Sequence, residues 1–343
     1  MNLTQLLPNG RPWGLLSALL LLLTLTFSSC KKNDDNTPIP PTINDLISNG
    51  NVINNQFTLF KKAISLAGLS GALSQPGTYT VFAPTDDAFK LLGPAYADTN
   101  ALKQISQLQL QAVLQYHILG AKTESSAIPT ALLTPVQALN GLPLYISKVA
   151  SSSTSSAISV NGAHIVRADV QASNGVVHVI DRVLIPPVLG DLASTIQGIP
   201  TLFPTVSFTF LQAAVAKVGA VSSLTGTTPM TVFAPTDVAF MASGYKDVSE
   251  IAGLSLPADS AKIKALAQTL QYHIVPGRVF TPLITSGSSL TTALGTTITY
   301  ASSTTALTVT GTGNGGTASN ITFPDIPATN GVVNIIDRLL LPK

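Results

Sequence analysis

This sequence of 343 residues contains little charge and almost no cysteine. Only 10% of its residues are Asp, Glu, Lys or Arg, whereas about 25% is usual. With a formal net charge of +2, the chain is not one that attracts nucleic acid or another polyanion by bulk electrostatics. Its single cysteine, Cys30, excludes an internal disulfide and a cysteine-based metal cluster. The four histidines stand singly, so the sequence predicts no metal site and no catalytic triad.

The chain carries the same three motifs twice, in the same order. The paired segments are TVFAPTDDAF and TVFAPTDVAF (80–89 and 231–240), QYHI (115–118 and 271–274), and NGVV followed by Ile-Asp-Arg (174–182 and 330–338). The copies lie about 150 residues apart, a period much longer than the 20–50 residues of a solenoid repeat. The sequence therefore predicts two copies of a whole domain, each long enough to bury its own core.

The N-terminal 29 residues have the composition of an export signal. Arg11 is their one charge, and an apolar run from Trp13 to Phe27 leads through two serines to Cys30. This segment resembles a bacterial lipoprotein signal, which implies that Cys30 becomes an acylated N-terminus. Two or more acyl chains would anchor the protein stably. An ordinary signal peptide with a chance cysteine, or a retained transmembrane anchor, is the alternative.

Residues 30–41 are predicted to form a disordered tether, because they are first charged and then rich in proline. The cluster Lys31–Asp35 resembles the acidic signals that direct some lipoproteins to the outer face of the outer membrane, although a plain spacer is the alternative. No mature segment reaches 18 consecutive apolar residues, so no other membrane span is predicted. We expect a lipid-anchored protein of the cell envelope, in the outer membrane, with surface exposure left open.

Both repeats are predicted to have an α+β fold. In each, apolar residues at helical spacing end at a glycine, Gly68 or Gly219, and a β-branched strand then leads into a Thr-Asp helix cap. Short strands fill the rest without βαβ alternation, which favours mostly non-parallel pairing. We place the domains at 42–186 and 187–343. The junction at 186–190 is too short for a free linker, so the copies should sit close together.

These motifs together resemble the fasciclin-type adhesion domain. The resemblance rests on TVFAPTDDAF, the Tyr-His pair and NGVVHVIDRVLIPP, and it covers nearly all of Thr42–Lys343. It implies two fasciclin-like domains, each with a β-sandwich-like wedge core flanked by short helices. It also implies a role in extracellular adhesion or matrix interaction, generally without enzymatic activity.

The resemblance also implies candidate binding residues in both repeats. They are Tyr116, His117, Tyr272 and His273 of the Tyr-His pairs, and Asp169, Val170, Asp325 and Ile326, which resemble an Asp-Ile adhesion motif. The residues themselves leave a structural alternative open for each. A Tyr-His pair can pack in the core with its polar atoms hydrogen-bonded, and the motif can be a loop carboxylate beside a buried aliphatic residue. We expect at least one tyrosine to be structural and Asp325 to be the more exposed aspartate.

The sequence offers no catalytic or cofactor site. His178 stands opposite Asn334 in the second copy, so His178 is not predicted to be a catalyst common to both copies. The GxGxxG match at 311–316 lies between two strand-like segments, whereas a dinucleotide site needs a helix after the glycines. We therefore predict a protein that is not an enzyme and holds no cofactor and no metal.

The predicted function is non-enzymatic cell-surface adhesion or matrix interaction. Its predicted partners are a protein or glycan on other cells or on the matrix, and a membrane through the lipid anchor, but no nucleic acid. The alternative is an envelope-associated protein that binds a small ligand or glycan, which an apolar cleft with few polar groups would favour.

Overall fold

The computed structural model describes residues 40–49, 56–150, 157–303 and 305–343. The predicted signal segment and Cys30 lie outside these residues. Residues 40–343 form one compact unit that contains both repeats, as the short junction predicts. Within the described ranges, no helix has the length and apolarity needed to cross a membrane.

The described residues of repeat 1 form short helices and seven strands. Its helices are α1 (Ile43–Ser48), α2 (Thr58–Leu66), α3 (Asp86–Lys90) and α4 (Gln107–Tyr116), with short 3-10 turns at Ala72–Ser74, Pro94–Tyr96 and Ala101–Gln104. Its strands are β1 (Tyr79–Pro84), β2 (Ile118–Leu119), β3 (Thr134–Gln137), β4 (Pro143–Val149), β5 (Ala157–Val160), β6 (Ala163–Ala172) and β7 (Gly175–Ile180).

Repeat 2 has the same plan with additional helical turns. Its helices are α5 (Leu192–Leu202), α6 (Thr209–Lys217), α7 (Val221–Leu224), α8 (Asp237–Ala242), α9 (Ser249–Ala252) and α10 (Ser260–Tyr272), with a 3-10 turn at Thr281–Leu283. Its strands are β8 (Met230–Pro235), β9 (Ile274–Pro276), β10 (Ser289–Thr291), β11 (Thr297–Ser302), β12 (Leu307–Gly311), β13 (Ser319–Ala328) and β14 (Gly331–Ile336).

The two sheets have equivalent strand orders, β2-β1-β7-β6-β5-β4-β3 and β9-β8-β14-β13-β12-β11-β10. In each sheet one central pair is parallel, β1 with β7 and β8 with β14, and the other pairs are antiparallel. A long strand, β6 or β13, contains register shifts, and such bulges bend a sheet. The predicted α+β fold, with a wedge-shaped sheet and flanking short helices, is confirmed.

The central parallel strands are buried on both faces, as parallel strands generally are. In β1, Val81 and Ala83 pack with the helices, whereas Phe82 on the opposite face joins the core inside the wedge. In β8, Phe233 takes the equivalent place. Each repeat therefore has two cores, one between helices and sheet and one within the bent sheet.

The Thr-Asp pair of the first motif caps two helices at once. Thr85 Oγ1 accepts a hydrogen bond from Ala88 N at the start of α3, as predicted. Asp86 Oδ1 accepts one from Leu59 N, 2.7 Å away, at the start of α2, and Asp237 does the same for Phe210 N of repeat 2. Each cap satisfies an otherwise unpaired helix N–H group. The motif is thus explained by local structure.

The Asn-Gly dipeptide of the third motif fastens three segments together. Asn174 Oδ1 accepts a hydrogen bond from Ile43 N at the start of α1, and its Nδ2 donates to the carbonyl oxygens of Leu73 and Gln75. Asn330 makes the equivalent bonds in repeat 2. A side chain at Gly175 would collide with the Tyr79 carbonyl oxygen of β1, so glycine permits the close approach of the parallel strands.

Candidate functional site

The two tyrosines of the Tyr-His pairs are core residues. Tyr116 and Tyr272 are both 0% exposed. Tyr116 Oη donates to Pro143 O at 2.8 Å and accepts from Asn161 Nδ2 at 2.6 Å, and burial raises the pKa of this phenol. Tyr272 Oη donates to Thr297 O at 2.6 Å. The expectation that at least one tyrosine is structural is confirmed, and in fact both tyrosines are buried in the core.

The two histidines of the pairs connect the end of a helix to the last segment of their repeat. His117 Nε2 accepts a hydrogen bond from Leu184 N at 2.9 Å, and its Nδ1 lies 2.8 Å from Val113 O. Because a backbone N–H can only donate, Nε2 is unprotonated and Nδ1 carries the proton. His273 makes the same bonds. Burial lowers the pKa of both rings to about 4, so both are neutral at pH 7.

A partner that docks on the folded protein would not reach these four side chains, because His117 and His273 are as deeply buried as the tyrosines. Their shared arrangement stabilises the wedge and leaves at most 2% of any of the four residues exposed. A direct binding role for the Tyr-His pairs remains a prediction without an exposed atom to support it.

The two aspartates of the Asp-Ile-like motif occupy equivalent bulges. Asp169 and Asp325 have φ values of 60° and 64°, in the left-handed region that short polar side chains tolerate. Each carboxylate accepts two hydrogen bonds from one residue, since Ser125 N and Oγ bond to Asp169 and Thr281 N and Oγ1 bond to Asp325. The following residues, Val170 and Ile326, are buried.

The expectation that Asp325 is the more exposed aspartate is wrong. Its side chain is 3% exposed, against 35% for Asp169. The reason is tertiary, because Arg182 of repeat 1 places Nη1 3.0 Å from Asp325 Oδ2. Burial raises the pKa of Asp325 even though Arg182 and Thr281 counteract the rise. Burial also acts to raise the pKa of Asp169. The hydrogen bonds from Ser125 act in the other direction, and the pKa of Asp169 is lowered overall.

The residues beneath the two bulges differ. His178 Nδ1 accepts from Asp169 N at 3.2 Å, and Nε2 donates to Thr123 O at 2.9 Å. Asn334 Oδ1 accepts from Asp325 N at 2.9 Å. Asn334 Nδ2 is the one buried side-chain nitrogen or oxygen without a hydrogen bond in the described part of the chain. Asn334 thus reproduces one of the two histidine bonds, which explains how the copies tolerate different residues.

Sequence reasoning missed the contact between the repeats. Tyr145 of repeat 1 lies beside two residues of repeat 2: the Arg278 Cζ atom is 4.6 Å from its ring centroid, and the Phe280 ring is 6.4 Å away. Arg278 is buried and donates to the carbonyl oxygens of Ala328, Thr329 and Gly331. We call Tyr145, Arg182, Arg278, Phe280 and Asp325 the inter-repeat contact. The repeated motifs do not mark this contact, because it is made once between the two repeats and is not a feature that each copy carries.

Repeat 1 leaves the surface around its own aspartate open. We call Lys122, Glu124, Asp169 and Gln171 the Asp169 patch. Lys122 Nζ lies 3.0 Å from Glu124 Oε1 and donates to Gln171 Oε1 at 2.8 Å, and the Lys122 and Glu124 side chains are 38% and 42% exposed. This patch combines both signs of charge with amide groups, so it can form hydrogen bonds and ion pairs with a partner.

The glycine-rich segment at 311–316 forms a turn between β12 and β13 and is not followed by a helix. Its placement agrees with the loop predicted from sequence. Across the described residues, no three His, Cys, Asp or Glu side chains converge as metal ligands.

Comparison with known proteins gives related sequences for both repeats. The fasciclin domain model matches residues 55–186 and 206–342. The transforming growth factor-beta-induced protein ig-h3 of Sus scrofa is 30% identical over 268 residues, which cover 78% of this chain and 35% of that protein. Protein sll1483 of Synechocystis sp. is 38% identical over 134 residues, or 39% of this chain and 69% of that protein.

A further relative is the immunogenic protein MPB70 of Mycobacterium bovis, 33% identical over 130 residues, which cover 35% of this chain and 61% of that protein. Among solved structures, a FAS1 domain pair from the insect cell adhesion molecule fasciclin I covers 86% of this chain and 94% of that chain at 18% identity, with a TM-score of 0.40. The chain spans about a third of the length of the ig-h3 relative, of which 35% is covered.

Proposed function

The chain belongs to the fasciclin domain family over both repeats, and from this membership we propose that it is a non-enzymatic adhesion or matrix-interaction protein of the cell surface. The family match is the observation that carries the proposal, because the family's usual role is extracellular adhesion. A protein or a glycan on another cell or on the matrix would be the partner.

Asp169, at the centre of the Asp169 patch, is the predicted binding residue that a partner could touch. The Asp169 side chain is 35% exposed, and those of its neighbours Lys122 and Glu124 are 38% and 42% exposed. Asp325 and both Tyr-His pairs are buried. Exposed polar residues on loops and strand ends carry binding more often than core residues do. We therefore place the contact with the partner at this patch.

The equivalent surface of repeat 2 is covered, which supports binding through one patch per chain. Arg278 and Asp325 stand where repeat 1 has Lys122 and Asp169, and both are buried in the inter-repeat contact. The tandem would thus gain avidity from many chains on one surface and not from two patches in one chain.

The anchor is proposed to be the acylated Cys30, which would place the protein in the outer membrane. Replacing Cys30 with alanine should release the protein from the membrane fraction or block its processing. If the variant still fractionates with membranes at full length, a retained apolar segment holds the protein instead. Protease access in whole cells distinguishes outward display from an inward-facing location.

The adhesion proposal is tested with the compact fragment 40–343 coupled to beads. Binding to cells, immobilised matrix proteins and a glycan array should fall at least several-fold for Asp169→Ala and for the charge reversal Lys122→Glu. Asp87→Ala is the matched control, because Asp87 is an exposed carboxylate whose counterpart in repeat 2 is Val238.

Thermal melts separate contact from scaffold in this experiment. Lys122→Glu should keep the melting temperature while binding falls, because both its side chain and its ion-pair partner are partly exposed. Equal binding by Lys122→Glu and the wild-type fragment would show that the patch is not the contact surface.

A further inference from the structure

A cavity lies between the repeats, and none of its lining residues belongs to the Asp169 patch or the inter-repeat contact. It is open on one side and has a volume of about 710 Å³, within the range of about 300–1,000 Å³ that is usual for small-ligand sites. Most of its lining comes from repeat 1, from α2, α3, α4 and the 3-10 turns that precede α4. The junction between the repeats and the end of α5 complete it. Representative lining residues from these segments are Leu108, Ala112, Ile185, Val188, Leu202 and Phe203.

The cavity lining is mostly apolar, with Gln104, Gln109 and Thr201 among its few polar residues. None of its lining residues is Asp, Glu, Lys or Arg, and the one lining histidine, His117, is held neutral by the hydrogen bonds described above. Tyr96 also lines it, and its hydroxyl has no hydrogen-bond partner in the described part of the chain. Such a lining matches an uncharged hydrocarbon with one polar end and disfavours a charged ligand, which would lose its hydration without compensation.

The duplicated domain shows that this apolar surface is not a requirement of the fold. Aligning Tyr116 with Tyr272 places Lys264 at the position of Leu108 and Gln268 at the position of Ala112. Both polar residues are exposed on α10, which forms the same helix in repeat 2. The helix therefore tolerates polar residues there, yet repeat 1 keeps Leu108 with 78% of its surface exposed.

The apolar surface continues directly into the junction between the repeats. Leu92 and Ile185, which line the cavity, also pack against the hydrophobic core of repeat 2. The rim residues Leu108 and Val188 remain largely exposed, so a ligand would remove apolar surface from water on both sides of an existing contact.

We propose that this cavity binds a single-chain amphiphile, with its hydrocarbon chain between α4 and the end of α5 and its uncharged polar end near the Tyr96 hydroxyl. Such a site fits the alternative function of an envelope-associated protein that binds a small ligand. It is independent of adhesion through the Asp169 patch. Its signature is a dependence of affinity on chain length, because each methylene group moved from water into the cavity strengthens binding by about fourfold.

The test is calorimetric titration of fragment 40–343, which holds every described element in one compact unit. The probes are 1-octanol, 1-decanol and 1-dodecanol below their solubility limits. We expect saturable binding of one chain per protein, with Kd falling by about 16-fold for each two methylenes added. Absence of saturable binding across the series overturns the proposal, as does affinity that is independent of chain length.

Two variants and one control locate the site. Leu108→Lys combined with Ala112→Gln copies the residues of repeat 2 and should weaken 1-decanol binding at least tenfold, and Ala112→Leu should shorten the longest chain that fits. Val238→Asp replaces an exposed apolar residue outside the cavity with its counterpart in repeat 1, and should bind as the wild type does.

Melting curves and light scattering complete the test. If the double variant is less stable, the Ala112→Leu variant still decides the matter, since an unchanged chain-length limit would overturn the proposal. Light scattering that shows a dimer of the fragment, dissociated by the double variant, would assign the apolar surface to a second copy of the chain and also overturn it. Failure here leaves the adhesion experiment unaffected, because that experiment changes no cavity residue.

Discussion

The buried histidines of the two Tyr-His pairs should make the fold sensitive to mild acid. His117 and His273 each accept a backbone hydrogen bond at Nε2. A proton added at Nε2 would break that bond and place a charge in the core. In the unfolded chain the imidazoles are exposed to water, so they take up protons at a higher pH than in the folded chain.

The magnitude follows from the two pKa values. Burial lowers the pKa of each ring from 6.5 to about 4, and one pKa unit corresponds to about 1.4 kcal/mol. Between pH 6.5 and pH 4 the unfolded state binds more protons, so the free energy of unfolding decreases as the pH falls through this window. Each histidine should lower the free energy of unfolding by about 2 kcal/mol at pH 5 and by about 3 kcal/mol below pH 4. Above pH 6.5 the stabilisation from the neutral imidazole is retained.

Urea unfolding of fragment 40–343 between pH 7.5 and pH 5 measures this loss. His117→Asn and His273→Asn should each flatten the pH dependence by about 2 kcal/mol, even though both variants are less stable at pH 7.5. His164→Gln is the control, because His164 is exposed, and it should keep the wild-type pH dependence. If both buried-histidine variants keep the wild-type slope, the assignment of neutral, hydrogen-bonded imidazoles is refuted.

Three further changes test the placement of the other residues. Tyr116→Ala should lower the free energy of unfolding by about 3–5 kcal/mol, as is usual for a large buried aromatic residue, and an unchanged melting temperature would contradict its core position. Asp325→Asn should cost about 1–3 kcal/mol in urea unfolding, because the partly buried Arg182 loses its counter-charge. Asp169→Asn, at a partly exposed site, should cost less, and equal losses would contradict the different burial of the two aspartates. Gly162→Ala should loosen the contact between the repeats, because a side chain there would collide with Asp325, and small-angle scattering should show a larger radius of gyration. Gly141→Ala has a similar positive φ of 80° without a neighbour within 4 Å, so it should share the backbone strain but keep the wild-type radius.

The sequence was sufficient for features that arise from local chemistry. The helix stop at Gly68 follows from its left-handed φ of 72°, and the cap at Thr85 follows from its side-chain oxygen. Because both repeats carry these signals in the same order, duplication, fold class and most strand positions could be predicted. For the Tyr-His pairs, residue type left two alternatives open, a structural role in the core and a contact role at the surface.

What the sequence determined by itself was the duplicated α+β domain, since periodicity, caps and turn residues act over a few neighbours and appear twice. Tertiary structure alone decided which of two equivalent aspartates is buried. Asp169 and Asp325 have the same backbone conformation and equivalent hydrogen bonds, but Arg182 comes from 143 residues away to cover only Asp325. A contact of this kind depends on how two repeats pack, and no local pattern at either aspartate encodes it.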